Sequence, residues 1–147
     1  MRYIVVDVPP ALWLAEQYLT GQFPDKKIFK WRQWNSFKEI EKEFNNSDII
    51  FLLSNQLELL PPKSADMFVN ISSLHEMRMD QIKYYFRLID RLTTGYFYSK
   101  QWKVSKIPYE NIIIKESDYP IYPNWTKNYS RECAVQVRFF ESLFRIS

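Results

Sequence analysis

Residues 3–8 read YIVVDV, and PPALWLAEQYL follows without a gap. The first run is continuous and β-branched, the composition of a strand buried on both faces in a parallel sheet, and it stops at Asp7, Pro9 and Pro10. Beyond it, Ala11, Leu14, Ala15, Tyr18 and Leu19 recur at the spacing of one helix face. Proline is tolerated in a first helical turn and glycine is common past a last one, so Pro10 opens this helix and Gly21 closes it. The first unit is therefore a strand followed by a helix, which predicts an α/β fold.

The same alternation continues outward. KKIFKW at 26–31 is a weak short strand, and FKEIEKEF at 37–44 sets Phe37, Ile40 and Phe44 on one side of a short helix. DIIFLL at 48–53 is a second buried run, ended by Asn55, Gln56 and Pro61-Pro62, and ADMFVNI at 65–71 is a third. From 79 to 92, Met79, Ile82, Tyr85, Phe86, Ile89 and Leu92 keep the helical period, and Gly95 opens a fourth strand, GYFYSKQW. Strand and helix in turn predict a parallel sheet. Residues 103–128, rich in Pro, Tyr and Asn, read as a structured loop region whose one strand candidate is IIIK. VQVRFFESLFRI at 135–146 reads as a closing strand, with a helix as the alternative. With no repeat and no low-complexity linker, residues 1–147 read as one domain.

Composition narrows the function classes. The 147 residues are 46% hydrophobic, enough for a core. No run reaches the roughly 18 to 20 apolar residues of a membrane span, and the N-terminus lacks the zones of a signal peptide, so a soluble cytoplasmic protein is expected. The net charge of +3 is dispersed, as in KEIEKEF and RLIDRL, where nucleic-acid binding wants a concentrated basic surface. Cys133, the single cysteine, excludes an internal disulfide framework and reads as a small core residue. With one histidine and scattered carboxylates, no metal site is expected. The 18% aromatic content predicts core or interface rings, and exposed rings also suit sugar faces. Two glycines, Gly21 and Gly95, make no glycine-rich phosphate cradle.

In open α/β sheets ligands bind beyond the carboxyl ends of the strands, so the residues past each strand are the candidates. Asp7 closes the first strand, and its acceptor-only carboxylate suits two ribose hydroxyls; interaction with the amides of the next helix is the other reading. Asn55 and Gln56 could bond a purine edge or form an ordinary turn. Asn70, Ser72, Ser73, His75 and Glu76 follow the third strand. Ser73-Leu-His-Glu76 has the spacing of a capping box, which competes with a catalytic Glu76. His75 is a better candidate general base at neutral pH than Glu76, and reads equally as a surface or hydrogen-bonded structural histidine.

Taken in order, YIVVDVPPALWLAEQYL, DIIFLLSNQLELLP, ADMFVNISSLHEM, DQIKYYFRLID, GYFYSK and the late FFESLF resemble the S-adenosylmethionine-dependent sugar O-methyltransferases. VDVPPAL with its following A-x-x-Y-L, and NISSLHEM followed by YYF, are the most specific parts. The resemblance implies a Rossmann-like class I methyltransferase sheet and methyl transfer to a sugar hydroxyl in surface polysaccharide biosynthesis. It gives cofactor roles to Asp7, Asn55, Gln56 and Asn70, substrate roles to Ser72 and Ser73, and catalytic roles to His75 and Glu76. In that family a first strand and glycine-rich loop precede the segment similar to VDVPP, whereas here Met1 lies just ahead of it. The expectation is a sheet incomplete at the N-terminus, in a fragment of a longer enzyme or in a domain whose exposed strand edge a homo-oligomer or partner chain covers. The alternative function is a non-catalytic interaction module with the same fold.

Overall fold

A computed structural model describes residues 1–107 and 112–146. It divides into two compact units, Met1–Pro61 and Pro62–Ser147.

The first unit runs β1 (Tyr3–Asp7), α1 (Pro9–Gln22), β2 (Ile28–Phe29), α2 (Phe37–Asn46) and β3 (Ile49–Leu53). Its three strands are parallel in the order β1-β3-β2, and Tyr3 to Asp7 pair in register with Ile49 to Leu53. The central strand carries the most apolar run: Ile50, Phe51 and Leu52 are fully buried. Against it, α1 packs Leu12, flanked by Ala15 and Leu19. This corrects the predicted face of α1, because Leu14 and Tyr18 are 64% and 65% exposed. Leu12, Trp13 and Leu14 spread apolar side chains around the helix, so the sequence does not single out which stripe meets the sheet. In α2 the predicted face holds, with Ile40 and Phe44 buried and Phe37 edge-on to Phe44 at 5.2 Å between ring centroids. A Glu39 carboxylate oxygen accepts from the Ser36 amide at 3.1 Å, satisfying a donor that the start of this helix would leave open.

The second unit runs β4 (Ala65–Ile71), α3 (Met79–Leu92), β5 (Thr93–Trp102), β6 (Val104–Ile107), β7 (Ile112–Lys115), β8 (Thr126–Glu132) and β9 (Phe139–Arg145). The predicted strand-helix-strand crossover from 65 to 102 is present, and β4 and β5 are parallel. The sheet, in the order β4-β5-β9-β8, is nevertheless mixed, since β9 and β8 join it antiparallel. Residues 103–128 also depart from the loop reading. They hold the β6-β7 hairpin and the start of β8, while 108–111 lie outside the described residues. TKNYSRE was illegible as a strand because it has no apolar alternation; pairing with β9 holds it in place. The closing segment is the strand β9, not the alternative helix.

Alternation decides which face of this sheet is core. Phe97, Ser99 and Gln101 of β5 are buried, as are Phe140, Ser142 and Phe144 of β9. Ile82, Phe86 and Ile89 of α3 join Phe97, Phe144, Tyr119 and Trp125 in one cluster, which uses many of the aromatics. The Trp125 indole N–H donates to Asp90 of α3 at 2.8 Å, tying the segment before β8 to the helix. On β4, Met67, Val69 and Ile71 are about half exposed, at 49%, 51% and 54%.

Gly95 is required by a close approach. A Cβ built on it would lie 2.5 Å from the Asp66 carbonyl oxygen, where the β4-β5 register shifts between Ala65 and Met67. Backbone cannot yield as a flexible side chain does, so Gly95→Ala is expected to destabilise the protein by about 1–3 kcal/mol, read by chemical denaturation. An unchanged midpoint would show that β4 and β5 separate freely there.

Candidate functional site

At the end of β4 the chain turns on Ser72, whose φ of 59° lies in the left-handed region that side chains disfavour. Its amide donates to the Lys100 carbonyl at 2.8 Å, which holds the turn against β5. Residues 74–76 then form a single 3-10 turn.

The predicted capping box is not formed here. The Asn70 side-chain amide donates to Ser73 Oγ at 2.7 Å, and Glu76 falls within the 3-10 turn, its amide donating to the Ser73 carbonyl at 3.2 Å. The helix begins three residues later at Met79, where Gln81 Oε1 accepts from the Arg78 amide at 3.1 Å. Ser73 and Glu76 thus belong to the strand exit, not to the helix start.

That exit is a connected polar network. Asn70 Oδ1 accepts from the Leu74 amide at 3.3 Å and from Gln101 Nε2 at 2.7 Å. Gln101 Oε1 accepts from the His75 amide at 3.4 Å and lies 3.1 Å from His75 Nδ1. The Trp102 amide is 3.4 Å from the same ring nitrogen, so Nδ1 serves Gln101 when protonated and Trp102 when not. The imidazole stacks on Trp102 at 5.1 Å and meets Phe139 edge-on at 6.1 Å. His75 is 5% exposed and Gln101 fully buried, while the Glu76 side chain is exposed. Three predicted residues, Asn70, Ser73 and His75, are brought together. Gln101 joins them from β5 and was missed, because a polar residue in GYFYSKQW reads like any solvent-facing strand position until the partner strand fixes the buried face. Beside Trp102 opens a cleft of about 420 Å³, lined by Lys103, Val104, Val137 and Arg138.

In the first unit, Asp7 ends β1 in register with Leu53 at the end of β3, so the carboxyl ends of the two strands lie side by side. Asp7 is exposed, and its Oδ1 accepts from the Val8 amide at 2.8 Å. One carboxylate oxygen is thereby oriented by the backbone. Past β3 the chain enters a 3-10 turn, Ser54–Leu59, which exposes Asn55 and buries Gln56. Gln56 Oε1 accepts from the Leu53 amide and its Nε2 donates to the Arg32 carbonyl, both at 2.9 Å, so this side chain braces the strand exit. Among the described residues no group of three or more His, Cys, Asp or Glu could hold a metal ion, and no helix is long and apolar enough to cross a membrane.

The chain aligns along its whole length with the PH0226 protein from Pyrococcus horikoshii OT3, at TM-score 0.65 and 12% identity, covering 72% of that chain. The two share a fold. It is an α/β fold with parallel strands, as expected from the strand and helix order. A protein from Sulfolobus solfataricus named "putative type 11 methyltransferase" aligns over 90% of this chain and 92% of its own at TM-score 0.49 and 16% identity. No protein-family model matches the chain, and no curated protein matches it.

Proposed function

We propose methyl transfer from S-adenosylmethionine to a sugar hydroxyl, with a surface polysaccharide as the destination of the sugar. The observation that carries this reading is Asp7: an exposed carboxylate at the carboxyl end of a parallel strand, one oxygen already oriented by the Val8 amide. That arrangement fits the vicinal hydroxyls of a ribose, since a carboxylate offers two acceptor oxygens to two donors. The exposed amide of Asn55, two residues past the paired Leu53, fits an adenine edge. Support for the methyl donor and for sugar comes from the resemblance of VDVPPAL and NISSLHEM; the fold is compatible with both.

S-adenosylmethionine, when bound, supplies a methyl group on a positively charged sulfur, open to in-line attack by an oxygen. The chain's part is alignment and proton removal. At the β4 exit the exposed Glu76 is the group suited to take the hydroxyl proton. His75, buried under Trp102 and bonded to Gln101, holds the turn that presents it, with Asn70 and Ser73 as braces and Ser72 at the acceptor side. Glu76→Gln is expected to lower methyl transfer to a sugar acceptor by about 10²–10⁴-fold while leaving donor binding unchanged. Full turnover by this variant would remove Glu76 from the mechanism.

A second reading, a non-catalytic module that binds a partner chain, is favoured by the half-exposed Met67, Val69 and Ile71 on β4, which has a ladder partner on one edge. A monomer that turns over the methyl donor is incompatible with it.

A further inference from the structure

A separate cavity of about 690 Å³ lies within the second unit, on the inner face of the β5-β9-β8 sheet and beneath the β6-β7 hairpin and the segment after it. Behind its apolar side lie Phe97, Phe140 and Phe144 from the strands and Phe86 from α3, all of them buried core rings. Across this surface runs a row of hydroxyls set by register: Ser99 pairs with Ser142, and Ser142 with Ser130. Ser130 Oγ donates to Glu116 Oε1 at 2.7 Å and lies 2.7 Å from Ser142 Oγ. Ser130 has one proton and gives it to Glu116, so Ser142 donates to Ser130 and keeps its own lone pairs for a further donor. Ser99 accepts from Gln101 Nε2 at 3.4 Å, which leaves its own proton to give.

A second, independent observation points to a ligand. Tyr119 lines the same cavity, is 7% exposed, and its hydroxyl has no hydrogen-bond partner among the described residues. An unpaired buried hydroxyl costs roughly 1–3 kcal/mol, and a bound acceptor would remove that cost. Burial, and then the Asp118 charge, push the phenol's pKa up, so it remains an O–H donor across the physiological range. The lining also includes three lysines. Lys103 is paired with Glu132, whereas Lys115 and Lys127 form no ion pair among the described residues.

We propose that this cavity binds a monosaccharide carrying one anionic group, with its hydroxyls on the serine row, Glu116 and Tyr119, and the anion at Lys115 and Lys127. A purely apolar ligand would leave the buried Tyr119 hydroxyl without a partner, and a bare anion would leave the free lone pairs of the serine row unused. The assignment rests on the cavity alone and holds whether or not the chain binds S-adenosylmethionine.

The test is calorimetry on the full chain without methyl donor, titrated in turn with glucose 6-phosphate, glucuronate, glucose and inorganic phosphate at fixed low salt. Saturable one-site binding is expected for the phosphate or the carboxylate sugar, and the better of the two identifies the anion. Glucose and inorganic phosphate are each expected to bind at least tenfold more weakly. A Lys115→Gln, Lys127→Gln double variant, both positions being exposed, is expected to weaken the charged sugar at least tenfold with an unchanged thermal melt, and Ser142→Ala to do the same through the ring. Absence of saturable binding by both charged sugars, equal binding of inorganic phosphate, or undiminished affinity in both variants would overturn the proposal.

Discussion

Replacing Phe97 with alanine is expected to destabilise the second unit by about 3–5 kcal/mol, the cost of emptying a large buried aromatic site. Phe97 is fully buried at the centre of β5, with ring centroids of Phe86 and Trp125 each 5.7 Å away and those of Phe68 and Phe144 each 6.3 Å away. These partners come from α3, β4, β9 and the segment before β8. A cavity at this point therefore withdraws contacts from four sides, and stacked and edge-on ring pairs add to the loss beyond buried area. Denaturant titration followed by near-ultraviolet circular dichroism measures it. A loss below 1 kcal/mol would mean that α3 collapses onto the sheet and refills the space.

The second large effect is expected from Gln101→Leu, which keeps approximate volume while removing both ends of the amide. Asn70 Oδ1 would lose its 2.7 Å donor, and the His75 backbone amide and Nδ1 would lose Gln101 Oε1. Leaving buried polar atoms unpaired costs about 1–3 kcal/mol each, so a loss of roughly 2–4 kcal/mol is expected, since Leu74 and Trp102 still supply part of the bonding. A structural role also has a local signature: the His75 and Trp102 ring signals in NMR should shift while those of the first unit stay in place. Stability within about 0.5 kcal/mol of the parent, with unmoved ring signals, would show that the network at the β4 exit does not depend on Gln101.

The physical difference between what the sequence revealed and what it concealed lies in the origin of each signal. β1, β3 and β4 were legible as strands from the apolar runs IVV, IIFLL and MFV, but the expected burial on both faces holds for β3 alone, since β1 and β4 contain no buried residue. α3 was legible because Ile82, Phe86 and Ile89 fall on one stripe. β6 and β8 were not, since VSKI is short and TKNYSRE is polar; their extended form comes from partners remote in sequence. The buried stripe of α1 was misread for the related reason that its apolar residues lie on several sides. At the β4 exit the residues were named correctly as polar and adjacent, but S-x-x-E was given to a helix start. Asn70 claims Ser73 instead, a competition that only the folded geometry reveals. Gln101 and the row of Ser99, Ser142 and Ser130 were invisible because a strand's inward and outward polar residues look alike until register is fixed.

The central claim is that the carboxyl end of β1 holds the ribose of a methyl donor through Asp7. Calorimetric titration of the full chain and of its Asp7→Ala variant with S-adenosylmethionine tests it most directly. Loss of a charge-assisted hydrogen-bonding pair of this kind costs about 1.5–3 kcal/mol, so the account predicts saturable one-site binding that the variant weakens by roughly 10- to 150-fold with its thermal melt unchanged. Equal affinity in parent and variant, or no binding by a folded chain, would contradict it.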